Sequence, residues 1–597
     1  MSTLKIENKQ ETVICAGIIP ISYIGRKVLM VRHPEGHWGF PKGHVEFDET
    51  EITVTENTIV IVSFEEVLPG RTVASSGICD ETVKWIFYKT GISLNFVLDT
   101  EKYKYTIVYL CKENGKIIKK KVTFFLGVTC ITDVVLDPNF KEYKWISLED
   151  LDKMDLFEQY KQLLIKISPL IHKDICLVNS SKINVENLSH YQGIGSKHTF
   201  SRIAPLKLLH SNLRIQNEPN ILDTYFINEI IKSNNYDSNG YFIIYENEMS
   251  KCWSIMNMLP LLVYKHKKLI MKGRPNGCNI GSRPIELYLT IMENLGIDVK
   301  VFDDSYIFEY KGINDDIFIE LPFPSFSGTS VACYLALLNT GETCITNVSI
   351  EPEIIFLVNS IEQLGYKIIF SKENRFIKII GNPNLKIENT TITIPEDRNI
   401  LVTRIVSRLL EKQKLHFVAN YGLDFDVLSN FFDQINLKFY INNNYIIIND
   451  YDDLFKNDKA IDVYSGFYPK ICSDWQPMIS LFLLTYCTSF NIFDEVFENR
   501  YEYMKQLESF LTGFEYHYDR ESLHVEVSKS VTVKDDAVLN FKFLDIRAAA
   551  TLCLALNHWK VNNFCIENLD QLFRGYSSIS DFSREFETRC KYVFKDS

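Results

Sequence analysis

The sequence predicts an α/β protein in which a separate N-terminal domain precedes a long region of repeated units, and three observations carry that expectation. The first is a degenerate repeat: an apolar helix, a small or turn-forming residue, a strand, a polar turn and a second strand. Its copies are IMENLGIDVKVFDDSYIFEY (291–310), SIEQLGYKIIFSKENRFIKI (360–379), NFFDQINLKFYINNNYIIIN (430–449) and ESFLTGFEYHYDRESLHVEV (508–527). The second is their spacing. The turn residues Gly296, Gly365, Asn436 and Gly513 stand 69, 71 and 77 positions apart, which suits a whole α/β supersecondary unit rather than a thin solenoid. Gly or Asn is the residue type that a left-handed helix C-cap requires. The third is a run of strand-like segments within residues 11–170 (TVICAGIIPIS, RKVLMVRH, YKYTIVYLC, KKVTFFLGV), closed by the helical stretch LEDLDKMDLFEQYKQLLIKI.

Taken in order, residues 1–175 form the first domain and the polar segment 176–194 a linker. Weaker copies of the repeat around Asn235 and in EFETRCKYVF near the C-terminus bring the units to six. Pro395, in TITIPEDRNI, falls between the second and third clear copies. It marks a crossing between two lobes of three units, 195–395 and 396–597, the second with a short contribution from the linker region.

At 597 residues the chain is too long for one core. A net charge of -12 argues against a surface built to coat nucleic acid. The N-terminal MSTLKIENKQETV is not a signal peptide, and no apolar stretch is long enough to span a bilayer. The 14 cysteines include no CxxC pair, so neither a zinc site nor a disulfide framework is expected, and the composition fits a cytoplasmic protein with reduced thiols.

Three constellations carry chemistry. In GRPNGCNIGSRP (273–284) Cys278 lies between glycines with Arg283 five residues later, and a thiol near guanidinium groups can transfer protons or attack as a nucleophile. In YPKICSDWQP (468–477) Asp474 can act as a base, bind hydroxyls, or simply cap the helix that follows. Arg500, Arg547 and Arg574 stand at element ends, with Lys197 and Arg202 in GSKHTFSR as further candidates, a set suited to a dianion that also bears a carboxylate.

At these residues a resemblance becomes specific. GCNIGSRPIEL resembles the catalytic loop of the UDP-N-acetylglucosamine enolpyruvyl transferases (the MurA-like branch of the EPSP synthase superfamily). LPFPSFSGTSVACYLALLNTGETCITNVSIEPEI resembles their PSxGAT helix and EPEI segment. YPKICSDWQ, FENRY, DIRAAATL and FRGY resemble four further signatures, in the family's order, over about residues 190–597. The family fold is a two-lobed, inside-out α/β barrel of six repeated units. The resemblance implies enolpyruvyl transfer from phosphoenolpyruvate to a hydroxyl of a nucleotide or nucleotide sugar, with release of phosphate and no metal. Cys278 would be the proton donor or nucleophile, and Asp474 the base or positioning carboxylate. Lys197, Arg283 and Arg574 would hold the phosphate, Arg500 and Arg547 the carboxylate side, and Asp545 would orient the cluster. UDP-N-acetylglucosamine itself as acceptor, or a catalytically inactive nucleotide-binding or scaffold protein, are the rival readings.

The departures fall on the acceptor side. His198 stands where the family has an asparagine facing the sugar, Glu286 and Tyr288 replace residues of its RPxDLH segment and are expected to enlarge the loop where the family contacts its nucleotide, and Lys251 and Cys252 lie where a basic residue is expected. Lys197 and Arg202, five apart, look closer to EPSP synthase. These substitutions make UDP-N-acetylglucosamine a poor expected acceptor.

In the first domain, HPEGHWGFPKGHVEFDET (33–50) resembles the start of a Nudix box, with Gly43 and Glu49 correctly spaced. The best continuation, DETVKWIFYKTGI, carries Trp85, Tyr88 and Lys89 where magnesium-binding glutamates belong, and Glu65 and Glu66 are about one helical turn out of place. A degenerate Nudix-like α/β/α sandwich without magnesium or hydrolytic activity is the expectation.

Overall fold

The computed structural model describes residues 12–33, 36–44, 94–99, 102–113, 116–130, 132–136, 140–179, 194–245, 252–273, 280–281, 285–302, 305–312, 315–413, 415–418, 426–442, 445–450, 460–498, 500–535 and 539–595. The chain divides into two compact units. One holds residues 1–192 with 563–569 and 584–597, the other 193–562 with 570–583.

The first unit is built around an eight-stranded sheet. Thr12–Ser22 is apolar nearly throughout because it runs through the sheet's interior and is buried from Cys15 onward. It pairs in parallel with Lys116–Thr129 along its whole length, Thr12 opposite Lys119 and Ser22 opposite Thr129. Val28–Arg32 and Lys42–His44 run antiparallel to it. The stretch LEDLDKMDLFEQYKQLLIKI is not one helix. It opens as a 3-10 turn, Leu148–Lys153, and extends at Phe157 (ψ 142°) before helix α1, Glu158–Ile171. Tyr160, Leu163, Leu164, Ile167 and Ile171 form the buried stripe of α1 at helical spacing. The segment read as a linker also begins differently, because Ile175–Asn179 is a strand. Phe564–Glu567 and Cys590–Phe594 pair antiparallel with it on either side.

The second unit repeats one pattern. In chain order its helices are α2 (Lys197–Ile203), α3 (Leu222–Lys232), α4 (Ile255–His266), α5 (Ile285–Asn294), α6 (Phe326–Leu338), α7 (Pro352–Gln363), α8 (Arg398–Leu410), α9 (Asp426–Gln434), α10 (Gln476–Tyr486), α11 (Tyr503–Phe510), α12 (Ile546–His558) and α13 (Asp570–Phe573). Around α4 and α5, α6 and α7, and α10 and α11, the chain runs strand–helix–strand–helix–strand–strand. Each time it closes a four-stranded sheet in the order first, second, fourth, third. The first helix of each copy is buried on all faces. In α6 every residue from Gly328 to Leu338 is buried, in α10 every residue from Gln476 to Leu484, in α4 every residue from Ile255 to Val263. Such helices carry no polar stripe because no face meets water. The sheets lie outermost, so large side chains such as Val301, Phe318, Ile369 and Tyr464 are exposed on strands.

All four expected helix–hairpin copies are present, as α5, α7, α9 and α11 with the strand pairs that follow. Gly296, Gly365 and Asn436 adopt the left-handed conformation (φ 75°, 99° and 54°) at the helix ends. Gly513 is also left-handed (φ 97°) but sits at a β-bulge between Thr512 and Phe514, three residues past α11, so it is no C-cap. The two weaker copies differ from expectation. After α3, Tyr236 bridges Phe242 and the strand Phe242–Ile244 already opens the next unit. At the C-terminus the hairpin partner of Cys590–Phe594 is the distant Ile175–Asn179, and Phe564–Glu567, Ile175–Asn179 and Cys590–Phe594 reproduce the second, fourth, third order.

A left-handed backbone costs a residue with a Cβ roughly 1–2 kcal/mol. Gly365→Ala should therefore lower unfolding free energy by about 1 kcal/mol in denaturant titration. Asn436→Gly should change it by no more than a few tenths.

Candidate active site

The site grows from the start of α2. Ser196 caps this helix, accepting a hydrogen bond from the Thr199 N–H at 3.2 Å. Two chain segments run side by side here. The Ser196 N–H donates to the Pro395 carbonyl (2.7 Å), and the Asp397 N–H donates to the Ile194 carbonyl (2.8 Å). Asp397 caps α8 through the N–H groups of Asn399 and Ile400 with Oδ1, while its Oδ2 accepts the Lys197 N–H at 2.9 Å. With the backbone fixed this way, the neighbours Lys197 and His198 reach two different carboxylates.

Lys197 Nζ lies 2.7 Å from Asp223 Oδ2, and Arg574 Nε donates to Asp223 Oδ1 at 3.0 Å. All three side chains are buried. Burial pushes the Asp223 carboxyl up, but Lys197 and Arg574 outweigh it and hold it below its ordinary value. Cys252, at the position where a basic residue was expected, is fully buried beside this trio, and burial pushes its thiol up to about 12. It is an inert, neutral side chain there.

Asp474 gathers the second set. Its Oδ1 accepts from Arg500 Nη2, and its Oδ2 accepts from Arg547 Nε and Nη2 at 3.1 and 3.0 Å and from Asn399 Nδ2 at 3.5 Å. His198 Nε2 lies 3.4 Å from the same Oδ2. Burial alone would raise the Asp474 carboxyl; Arg547 and Arg500 reverse this and hold it well below the carboxylate range. Asp474 does not cap α10, whose N-cap is Trp475 without a side-chain hydrogen bond. Asp545 caps α12 through the N–H groups of Arg547 and Ala548 and stands 3.9 Å from Arg500 Nη1. Arg547 Nη1 also donates to Tyr576 Oη at 3.1 Å. Alongside, Arg398 is clamped by Glu351 and Glu353, and Arg202 lies face-on over Phe326, 3.3 Å from the ring centroid.

The sequence-derived residues thus come together in two groups: Lys197 with Arg574, and Arg500, Arg547, Asp545 and His198 around Asp474. Cys278 and Arg283 lie outside the described residues, as do Glu49, Glu65 and Glu66. Glu286 and Tyr288 do not enlarge a loop. Both belong to α5, where Glu286 is exposed and Tyr288 is buried with its ring edge-on to Trp253, centroids 5.7 Å apart. Sequence reasoning missed Asp223, Asp397, Asn399 and Tyr576. Asp397 had a readable signal, a capping residue in PEDRN; Asp223, in the first turn of an amphipathic helix, had none.

A depressed carboxyl stabilises the fold fully above its unfolded value near pH 4, and that contribution is lost as pH falls through the folded value. Wild-type thermal stability should therefore drop steeply on acidification below about pH 4. Asp474→Asn should already lose roughly 3 kcal/mol at neutral pH, because Arg500 and Arg547 are left buried without their counter-charge, and should show a shallower acid drop.

The family model described as EPSP synthase (3-phosphoshikimate 1-carboxyvinyltransferase) matches residues 252–408. The UDP-N-acetylglucosamine 1-carboxyvinyltransferase of Thermotoga petrophila is 26% identical over 422 residues, covering 67% of this chain and 95% of that protein. UDP-N-acetylglucosamine 1-carboxyvinyltransferase 1 of Clostridium acetobutylicum is 29% identical over 374 residues, covering 59% and 84%. Among solved structures, the enolpyruvyl transferase NikO from Streptomyces tendae superposes with a TM-score of 0.57 at 18% identity, over 71% of this chain and all of that one, so the fold is shared. The C-terminal part of the chain is homologous to the MurA-like enolpyruvyl transferases of the EPSP synthase family, and that homology indicates a transferase.

Proposed function

We propose that this chain transfers the enolpyruvyl group of phosphoenolpyruvate to a hydroxyl of a nucleotide or nucleotide sugar and releases inorganic phosphate. The observation that carries the proposal is the sorting of four buried cations into two pairs, each gathered on one aspartate. Phosphoenolpyruvate carries a phosphate and a carboxylate on one carbon, so it needs two neighbouring cationic subsites. Lys197 and Arg574, with Arg283, take the phosphate; Arg500 and Arg547 take the carboxylate, oriented by Asp545. Cys278 delivers the proton to the methylene carbon. Asp474 serves as the positioning carboxylate, since two guanidinium groups leave it too weak a base to take a proton. Three complete copies of the repeat and a fourth split one support the two-lobed, six-unit barrel. The Nudix-like half acts as a non-hydrolytic binding module. The relatives named for UDP-N-acetylglucosamine make that sugar nucleotide the first acceptor to test, while His198 points to a different nucleotide-bearing hydroxyl compound.

Incubation with phosphoenolpyruvate and a panel of nucleotides and nucleotide sugars, followed by phosphate release and product mass, tests the reaction. Cys278→Ala should abolish turnover, and an epoxide analogue of phosphoenolpyruvate should label the wild type at Cys278 alone. Each charged hydrogen bond to the phosphate contributes about 1.5–3 kcal/mol, so Lys197→Ala or Arg574→Ala should raise the KM for phosphoenolpyruvate by at least about tenfold. The full chain with magnesium should leave dinucleoside polyphosphates intact; steady hydrolysis removed by Glu65→Gln or Glu66→Gln would overturn the non-hydrolytic reading.

A further inference from the structure

We propose that His198 is the general base of the transfer, oriented by Asp474; the proposal rests on the enolpyruvyl-transfer reading above. The reaction must remove a proton from the acceptor hydroxyl, and the group that takes it needs a proton affinity matched to neutral pH. Asp474 does not meet that need. Arg500, Arg547 and Asn399 occupy both of its oxygens, and its carboxyl is held far below the usual range.

His198 is placed to do it instead. It follows Lys197 directly, so the same turn of α2 carries a phosphate-side cation and this ring. Its main chain is fixed: its carbonyl accepts from Arg202 Nη1 (2.8 Å) and Ser201 Oγ (3.0 Å). The ring leans against Phe326 with centroids 5.8 Å apart, and its Nε2 faces Asp474 Oδ2 at 3.4 Å. The side chain keeps 28% of its surface open. A carboxylate beside one ring nitrogen selects the tautomer that carries its hydrogen there, which leaves the lone pair on the other. Nδ1 makes no hydrogen bond among the described residues. It is the open basic atom of the site.

Charged groups face the ring from two other elements. Asp474 faces it from the turn before α10, and Glu351 and Glu353 from the start of α7. Of the nearby cations, Lys197 is engaged on Asp223, Arg398 on Glu351 and Glu353, and Arg500 and Arg547 on Asp474, while Arg202 lies over the same Phe326 ring and donates to the His198 carbonyl. In the addition step the acceptor O–H bond breaks, its proton passes to Nδ1, and the oxygen bonds to the carbon bearing phosphate and carboxylate. The former double-bond pair takes the proton of the Cys278 thiol at the methylene carbon. In the elimination step that carbon returns a proton to the Cys278 thiolate, the double bond re-forms, and the C–O bond to phosphate breaks to release inorganic phosphate. The proton on Nδ1 then leaves to solvent.

The test uses the full chain, phosphoenolpyruvate, and as acceptors UDP-N-acetylglucosamine and the four ribonucleoside 5′-monophosphates, with phosphate release followed across pH. With the acceptor that supports turnover, His198→Gln and His198→Asn should lower kcat at least about 100-fold while changing the KM for phosphoenolpyruvate less than about fivefold. The acid limb of the wild-type kcat profile should vanish in both, and added imidazole should restore part of the rate of His198→Gly. An amide still offers hydrogen bonds, so a residue that only contacts the acceptor would survive His198→Asn. Retention of most of kcat in His198→Asn with an unchanged acid limb overturns the proposal and leaves the transferase reading standing. Absence of phosphate release from wild type with every acceptor overturns that reading and the proposal with it.

Discussion

Four cations held out of water need carboxylates close by, and the polar interior of the second unit is arranged around that constraint. Moving a single ion into a protein interior costs several kcal/mol unless a partner and hydrogen bonds offset it. Asp223 answers Lys197 and Arg574; Asp474 answers Arg500 and Arg547. Under the proposed reading, a ligand bearing a phosphate and a carboxylate would bring two further anions to cations that are already desolvated and oriented, so little reorganisation would remain at binding. The two aspartates hold the guanidinium and ammonium groups in place.

The backbone that makes this feasible is the paired crossing of residues 194–197 and 394–397. These segments exchange hydrogen bonds between Ser196 and Pro395 and between Asp397 and Ile194, and Asp397 ties the start of α2 to the start of α8. Two neighbouring side chains, Lys197 and His198, are thereby aimed at two separate carboxylates. Loss of the Asp397 carboxylate would release both helix starts together, so its effect reaches residues that it does not touch.

Much of this was legible from local patterns. The helix–hairpin copies follow from apolar periodicity and from turn residues such as Gly296, Gly365 and Asn436, which obey local stereochemistry. Gly513 satisfied the same pattern for another reason, a β-bulge, because a left-handed glycine serves either purpose. The split copy was not legible: no local signal says that Ile175–Asn179 will pair with Cys590–Phe594, more than 400 residues away. For the site, Lys197, Arg500, Arg547 and Arg574 were found through motifs. Asp223 was not, because a single acidic residue in the first turn of a helix ordinarily means a favourable dipole contact at the surface. Tyr288 was misjudged because a sequence cannot show that its ring turns inward against Trp253.

One feature of the sequence runs against local preference and explains why function concentrates where it does. Lys197 is the first residue of α2, Arg398 the first of α8 and Arg547 the second of α12. A cation in the first helical turn meets the positive end of the helix dipole and costs typically 0.3–1 kcal/mol. The capping residues reduce that cost: Asp397 and Asp545 carry negative charge, and Ser196 receives it indirectly through the Asp397 carboxylate on the Lys197 N–H. Natural sequences tolerate such conflicts where activity requires them. These helices are largely buried, α12 from Ile546 to Asn557 and α8 from Arg398 to Val406, so the charges they carry are held among neighbouring side chains rather than in water. Helix N-termini, already rich in unpaired N–H groups, become the natural place to receive an anion. Placing cations on those same turns adds formal charge to partial charge, and the acidic caps Asp397 and Asp545 offset part of it.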